Sequence, residues 1–153
     1  MKKIGLSLIT TAILGFASST TIDGFSSPES TIVNNQNLYI SNVGKELKPT
    51  AKDGDGFISK LTLDGKIDKL HFIDGLNAPK GMGIVNNTLY VADVDTLRGF
   101  DLNTKKEVFS LVFEGVNFLN DITVKDNNTL FVGASDTSSI YEVDISSKSF
   151  TKL

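Results

Sequence analysis

After residue 27 the apolar positions fall into short runs of period two, broken every few residues by Asn, Asp, Gly or Ser. Alternation over four to eight residues between turn formers marks half-buried strands and not helices. Three runs share one signature: Leu38-Tyr39-Ile40, Leu89-Tyr90-Val91 and Leu130-Phe131-Val132. Each follows a short apolar run and an Asn-rich turn, and each precedes a polar loop and two more alternating runs. The anchor leucines recur at intervals of about 40–50 residues, the length of one four-stranded propeller blade.

The pattern predicts strands at 30–33, 38–41, 57–63 and 66–73 in a first unit. A second unit has them at 81–85, 88–92, 97–102 and 107–113, and a third at 122–124, 130–133, 139–143 and 149–153. The run 57–63 alternates imperfectly, with Ile58 and Ser59 each on the less expected side. Asp64-Gly65 supplies a tight hairpin turn because Gly accepts positive φ. Pro28 and Pro79 stand before first strands, where a missing N–H costs no ladder bond. The expected fold is all-β: a partial β-propeller of three four-stranded antiparallel blades at about 28–75, 79–113 and 119–153. Propellers typically close at four to eight blades. Three leave two apolar end faces unpaired. Two solutions are expected: the chain is the N-terminal half of a longer protein, or a second copy forms a homodimer that completes a six-bladed ring.

The first 19 residues change the picture of where the protein acts. Met1-Lys2-Lys3 is a short basic start, and residues 4–17 are mostly apolar. Ala17 and Ser19 fit the small positions of a cleavage site. A signal peptide over 1–19 is expected, with the product in the periplasm or secreted. The alternative, a membrane anchor, needs about 20 apolar residues, and Thr10 and Thr11 interrupt this shorter run. No membrane association is expected after cleavage.

Charge and composition narrow the partners. Fifteen Lys and Arg face eighteen Asp and Glu, and Arg98 is the one arginine. No basic cluster is present to bind phosphates, so nucleic acid is not an expected partner. The absence of Cys excludes disulfides, thiolate nucleophiles and Cys-ligated zinc. His71, the one histidine, falls on an outer strand, so a Ser-His-Asp triad is not expected. No phosphate-binding loop motif occurs; Pro79-Lys80-Gly81-Met82-Gly83 opens a strand, not a helix.

The repeat itself locates candidate chemistry. Polar residues just before innermost strands, and in loops after second strands, gather at one end of a propeller's central channel. Counting back from the anchor leucines gives Glu29, Lys80 and Asn120 at equivalent positions; the later loops add Asn42, Asp93 and Asp136. A carboxylate with amide carbonyls is hard-ligand chemistry, suited to Ca²⁺ or another hard divalent cation. The expected roles are Glu29 as metal ligand, Lys80, Asn120 and Asn42 as substrate-binding groups, and Asp121 as a catalytic base on activated water. Each has a plain structural reading as well: Glu29 and Lys80 as solvated side chains, Asn42 as a loop cap, and Asn120-Asp121 as a turn cap. Asp53 and Asp55 begin like an acidic calcium loop, but Phe57, Ile58 and Asp64 occupy positions where that motif needs a ligand, a Gly and a Glu. They are expected to form a turn.

At Glu29, at Pro79-Lys80-Gly81 and at Leu119-Asn120-Asp121 the chain resembles the calcium-dependent six-bladed propellers that include senescence marker protein 30 and the gluconolactonases. It is similar, more loosely, to NHL-type propeller repeats. The resemblance implies a metal-binding Glu in the first blade, here Glu29, although Pro28 and Ser30 flank it where the family usually continues with Gly-Pro. It also implies a substrate-lining Asn within a Phe-Asn-Asp signature; Phe118-Leu119-Asn120-Asp121 matches it with one inserted Leu. Family members carry three further blades, which supply another Asn ligand and a catalytic Asp. Two functions follow as expectations. One is an exported binding or structural module with a small-molecule or protein ligand at the channel rim. The other, for a complete propeller, is metal-dependent hydrolysis of sugar lactones or similar esters.

Overall fold

The computed structural model describes residues 21–153; the expected signal peptide lies outside them. The described chain is twelve strands in three four-stranded antiparallel sheets, each formed from consecutive strands. The first sheet contains β1 (Pro28–Asn34), β2 (Asn37–Asn42), β3 (Gly56–Thr62) and β4 (Ile67–Leu76). The second contains β5 (Pro79–Val85), β6 (Thr88–Asp93), β7 (Thr96–Asp101) and β8 (Glu107–Val112). The third contains β9 (Leu119–Val124), β10 (Thr129–Ala134), β11 (Ser139–Asp144) and β12 (Ser149–Lys152). This is the all-β partial propeller expected from the repeat.

Local chemistry sets the turns. Asn35 and Asn86 take positive φ of 53° and 54° in the hairpins β1–β2 and β5–β6, a geometry Asn tolerates. The hairpins β7–β8 and β11–β12 share a device. Asp101 accepts from the Thr104 N–H at 2.7 Å and from Asn87 Nδ2 at 2.9 Å. Asp144 accepts from the Ser147 N–H at 2.7 Å and from Asn128 Nδ2 at 2.9 Å. The Asn-rich inner turn is thereby tied to the outer one.

Alternation then builds the core. Leu89 and Val91 of β6 face the first sheet, packing with Tyr39, Ile58, Ile73 and Leu76. Tyr90 and Ala92 of the same strand face the third, packing with Leu119, Ile122, Leu130 and Val132. Each Leu, Ile or Val so buried contributes roughly 1.5–3 kcal/mol. Phe113 closes the outer part of the second interface, edge-on to Tyr141 and stacked on Phe150 with ring centroids 4.2 Å apart.

Ser59, which broke the predicted alternation of β3, is fully buried and accepts a hydrogen bond from Asn42 Nδ2 at 3.0 Å. A partner inside the fold lets a hydroxyl stand where an apolar residue was expected. The two end faces also differ from expectation. Ile22 packs at Gly65 in the β3–β4 turn, while the Ser26 N–H bonds Asn42 at the far end of β2. Residues 22–26 therefore cross the outer face of the first sheet, where Ile40 and Leu61 are buried. The outer face of the third sheet is mixed: Phe131, Gly133 and Ile140 alternate with Glu142, and Lys125 bonds Glu142 at 2.6 Å over the Phe131 ring.

Candidate functional site

The innermost strands β1, β5 and β9 lie side by side, and each presents its second residue at the same end. Those residues are Glu29, Lys80 and Asn120. The approach of β9 to β5 depends on Gly81: a Cβ there would stand 2.5 Å from Asp121 Cα and 2.6 Å from the Asn120 carbonyl oxygen. Glycine thus brings Asn120 and Asp121 beside Lys80.

Lys80 is the unusual member. Its residue is 1% exposed, and its Nζ donates to the Ala78 carbonyl at 2.8 Å and sits 4.9 Å from the Phe118 ring centroid. Burial disfavours the ammonium and pulls its pKa below the ordinary value of 10.5, while Asp93 and Glu29 oppose that shift. Glu29 is exposed along one side, yet the crowded rim desolvates its carboxyl and raises its pKa above 4.5. Lys80 holds that rise back and Asp121 adds to it. Glu29, Lys80 and Asp121, from three different blades, therefore share one electrostatic environment. Asp121 Oδ1 accepts the Ile122 N–H at 2.9 Å, and Asn120 Nδ2 donates to Ser135 Oγ at 3.0 Å. These last two line a cleft of about 260 Å³ with Gly133, Ser135, Ser138 and Ile140.

A second ring of polar groups lies just behind. Asn42 and Asp93 occupy equivalent ends of β2 and β6, and both are fully buried. Asn42 Oδ1 accepts the Ser26 N–H at 3.0 Å, and its Nδ2 donates to the Ile40 carbonyl at 3.2 Å and to Ser59. Asp93 accepts the N–H groups of Asn77 and Ala78 at 2.9 and 2.8 Å and the Arg98 guanidinium at 3.2 Å. In the third blade Asp136 accepts the Asn117 N–H at 2.7 Å. All three fasten the segment that leads into an innermost strand. Asn42 is therefore placed in the wall behind the rim and not with Glu29, Lys80, Asn120 and Asp121. The sequence offered a signal for this role: Asn42 and Asp93 each stand four residues after an anchor leucine. Val94, next to Asp93, holds a positive φ of 59°, strained for a β-branched residue. Its carbonyl receives the Leu119 N–H at 2.7 Å. Phe118, Ser135 and Gly133 are rim contributors that sequence reasoning did not select, since small and apolar residues carry no chemical signature.

His71 lies on β4, stacked on Phe57 with centroids 3.9 Å apart, its Nδ1 2.6 Å from Asp74. Asp53 and Asp55 serve the long β2–β3 loop, where Asp55 accepts the Lys45 N–H at 3.0 Å. Among the described residues no three His, Cys, Asp or Glu side chains gather as a metal-binding group. Ca²⁺ takes six to eight oxygens. At the rim two carboxylates share their surroundings with an ammonium, so the donors present do not fit a hard divalent cation.

No protein-family description matches the chain, and no curated protein matches it. Solved structures do. A chain in a crystal structure of a nidogen/laminin complex superposes with a TM-score of 0.65 at 16% identity, over 84% of this chain and 47% of that one. A chain of Kuenenia stuttgartiensis hydrazine synthase superposes with a TM-score of 0.64 at 15% identity, over 90% of this chain and 38% of that one. The chain thus spans less than half the length of each. At these identities the likeness is one of fold: an all-β, propeller-like module of three sheets.

Proposed function

We propose that this protein is an exported, propeller-type binding module whose ligand sits at the rim formed by Glu29, Lys80, Asn120 and Asp121. The observation that carries this reading is the convergence of those side chains from three blades around a buried lysine. Exposed carboxylates accept hydroxyl hydrogen bonds, while the Asn120 amide both donates and accepts. That donor and acceptor mix suits an uncharged, hydroxyl-rich small molecule such as a saccharide.

The likeness to gluconolactonase-type propellers would add a metal on Glu29 and a base at Asp121. The rim donors do not support that addition, so binding without hydrolysis is the reading put forward. The solved structures similar in fold include a protein–protein complex and an enzyme, and fold therefore does not choose between roles. The test is an amide chemical-shift titration of isotope-labelled protein with neutral mono- and disaccharides. Saturable shifts at Lys80, Gly81 and Asn120 that weaken about tenfold in Glu29→Gln are expected. Flat shifts at these amides up to high millimolar sugar would end the proposal.

A further inference from the structure

Phe118 is an aromatic residue outside the apolar core. Phe100, Phe109 and Phe113 are buried between blades, each within a hydrophobic cluster. Phe118 is half-buried, and among the described residues its ring packs on no other aromatic ring and belongs to no such cluster. One face of the ring is taken by Lys80, whose Nζ lies 4.9 Å from the ring centroid. Covering that ammonium accounts for one face of the ring and not for its exposure at a polar rim.

The backbone holds the ring in place from both sides. The Asn117 N–H donates to Asp136 at 2.7 Å, the Phe118 carbonyl accepts the Ser135 N–H at 2.9 Å, and the Leu119 N–H donates to the Val94 carbonyl at 2.7 Å. Three consecutive residues are thereby tied to the second and third blades, so a ligand that meets the ring has little ordering left to do. Asn120 and Asp121 follow directly in the chain, and Glu29 shares the electrostatic environment of Lys80 and Asp121. An apolar ring beside an amide and two carboxylates combines a flat hydrophobic surface with hydroxyl-bonding groups. A pyranose has the matching pair of features: a face of C–H groups and an edge of hydroxyls.

We propose that Phe118 is the specificity-determining residue of the rim. The C–H face of a pyranose stacks on the side of its ring turned away from Lys80, while Asn120, Asp121 and Glu29 bond the hydroxyls at the sugar's edge. This inference rests on the rim binding a hydroxyl-rich small molecule. It adds a choice among such molecules: cyclic sugars with an unbroken C–H face are taken in preference to acyclic polyols, which carry the same hydroxyls but no such face.

The test titrates the isotope-labelled full chain with methyl β-glucoside and, as the acyclic control, with sorbitol. The glucoside is expected to bind at least about tenfold more tightly than sorbitol. Its axial C–H protons should move upfield on binding, because they lie over an aromatic ring; a Phe118 that merely packs on Lys80 would not move them. Phe118→Leu should weaken glucoside binding about fivefold and abolish the upfield shift, whereas Phe118→Tyr, which keeps the ring, should retain both. The comparison of the two ligands on the parent chain decides the matter even if the leucine variant fails to fold. Saturable shifts at the rim amides with no upfield ligand shift, with sorbitol bound equally well, or with Phe118→Leu unchanged would overturn the stacking role and leave the rim site standing. Rim amides that stay flat with the glucoside would remove the site and the stacking role together.

Discussion

Two sets of polar side chains sit at the same end of this molecule, on neighbouring strands of each blade, and the fold treats them oppositely. Asn42 and Asp93 are fully buried, and each holds several internal hydrogen bonds. Glu29, Asn120 and Asp121 keep exposed or partly exposed oxygens and few internal bonds. The second-strand ends fasten each incoming strand; the starts of the innermost strands are left to meet a ligand. Residue type does not separate the sets, since each holds a carboxylate and an amide. What separates them is whether the partners are backbone groups of the neighbouring segment or water.

Removal of the fastening groups should therefore give the largest effects. Asp93→Ala strips the buried Ala78 N–H and the half-buried Asn77 N–H of their acceptor and removes one Arg98 partner, while Lys80 loses an opposing charge. A loss of about 3–5 kcal/mol is expected by urea denaturation, with partial rescue in Asp93→Asn. Asn42→Ala is next: it orphans the Ser26 N–H and the Ser59 hydroxyl, at about 1–3 kcal/mol. Hydrogen exchange should then rise at Ser26, Val43 and Gly44, which share that junction. Effects below about 0.5 kcal/mol for both would erase the distinction between the two sets.

The fold was legible because period-two alternation and Asn/Asp turns are local signals, repeated three times around Leu38, Leu89 and Leu130. Every predicted strand has its counterpart, with ends shifted by up to three residues; β4 continues to Leu76 and β9 begins at Leu119. Equivalence by counting also placed Glu29, Lys80 and Asn120 at one end. It could not show that Lys80 is buried under Phe118, because that depends on how the loop before β9 crosses the second blade. Nor could it separate Asn42 from the rim. That outcome rests on Ser26 and Ser59, contacts distant in sequence that no periodicity encodes. The cover over the first blade by residues 22–26 was hidden for the same reason.

Lys80 tests the comparison from the other side, since it is buried like the fastening set but belongs to the rim. Lys80→Met removes a desolvated ammonium together with its bond to the Ala78 carbonyl, and these opposing terms should leave stability within about 1 kcal/mol at neutral pH. The pH dependence is more telling. The folded pKa lies below 10.5, so between the two values the unfolded chain binds more protons. Native stability must then rise with pH through that window. The methionine variant should lack this rise relative to the parent, as urea midpoints at neutral pH and near pH 10 would show.

Glu29 gives the smallest effect and the sharpest reading of the rim. Burial raises its folded pKa above 4.5, so the native protein binds more protons in the interval just above that value. Stability from this group is therefore present at low pH and falls as pH rises through the folded pKa. Glu29→Gln should be equal to the parent or more stable at neutral pH, by roughly a few tenths of a kcal/mol given solvent screening. That advantage should vanish in acid. Direct titration of the Glu29 carboxyl by NMR separates the neighbours. Lys80→Met should push its pKa higher, because the ammonium holds it down; Asp121→Asn should bring it lower, because the second carboxylate holds it up. Opposite shifts in the two variants require one shared electrostatic environment spanning three blades. A Glu29 titration indifferent to both would mean that these three groups are electrostatically independent and do not form one site.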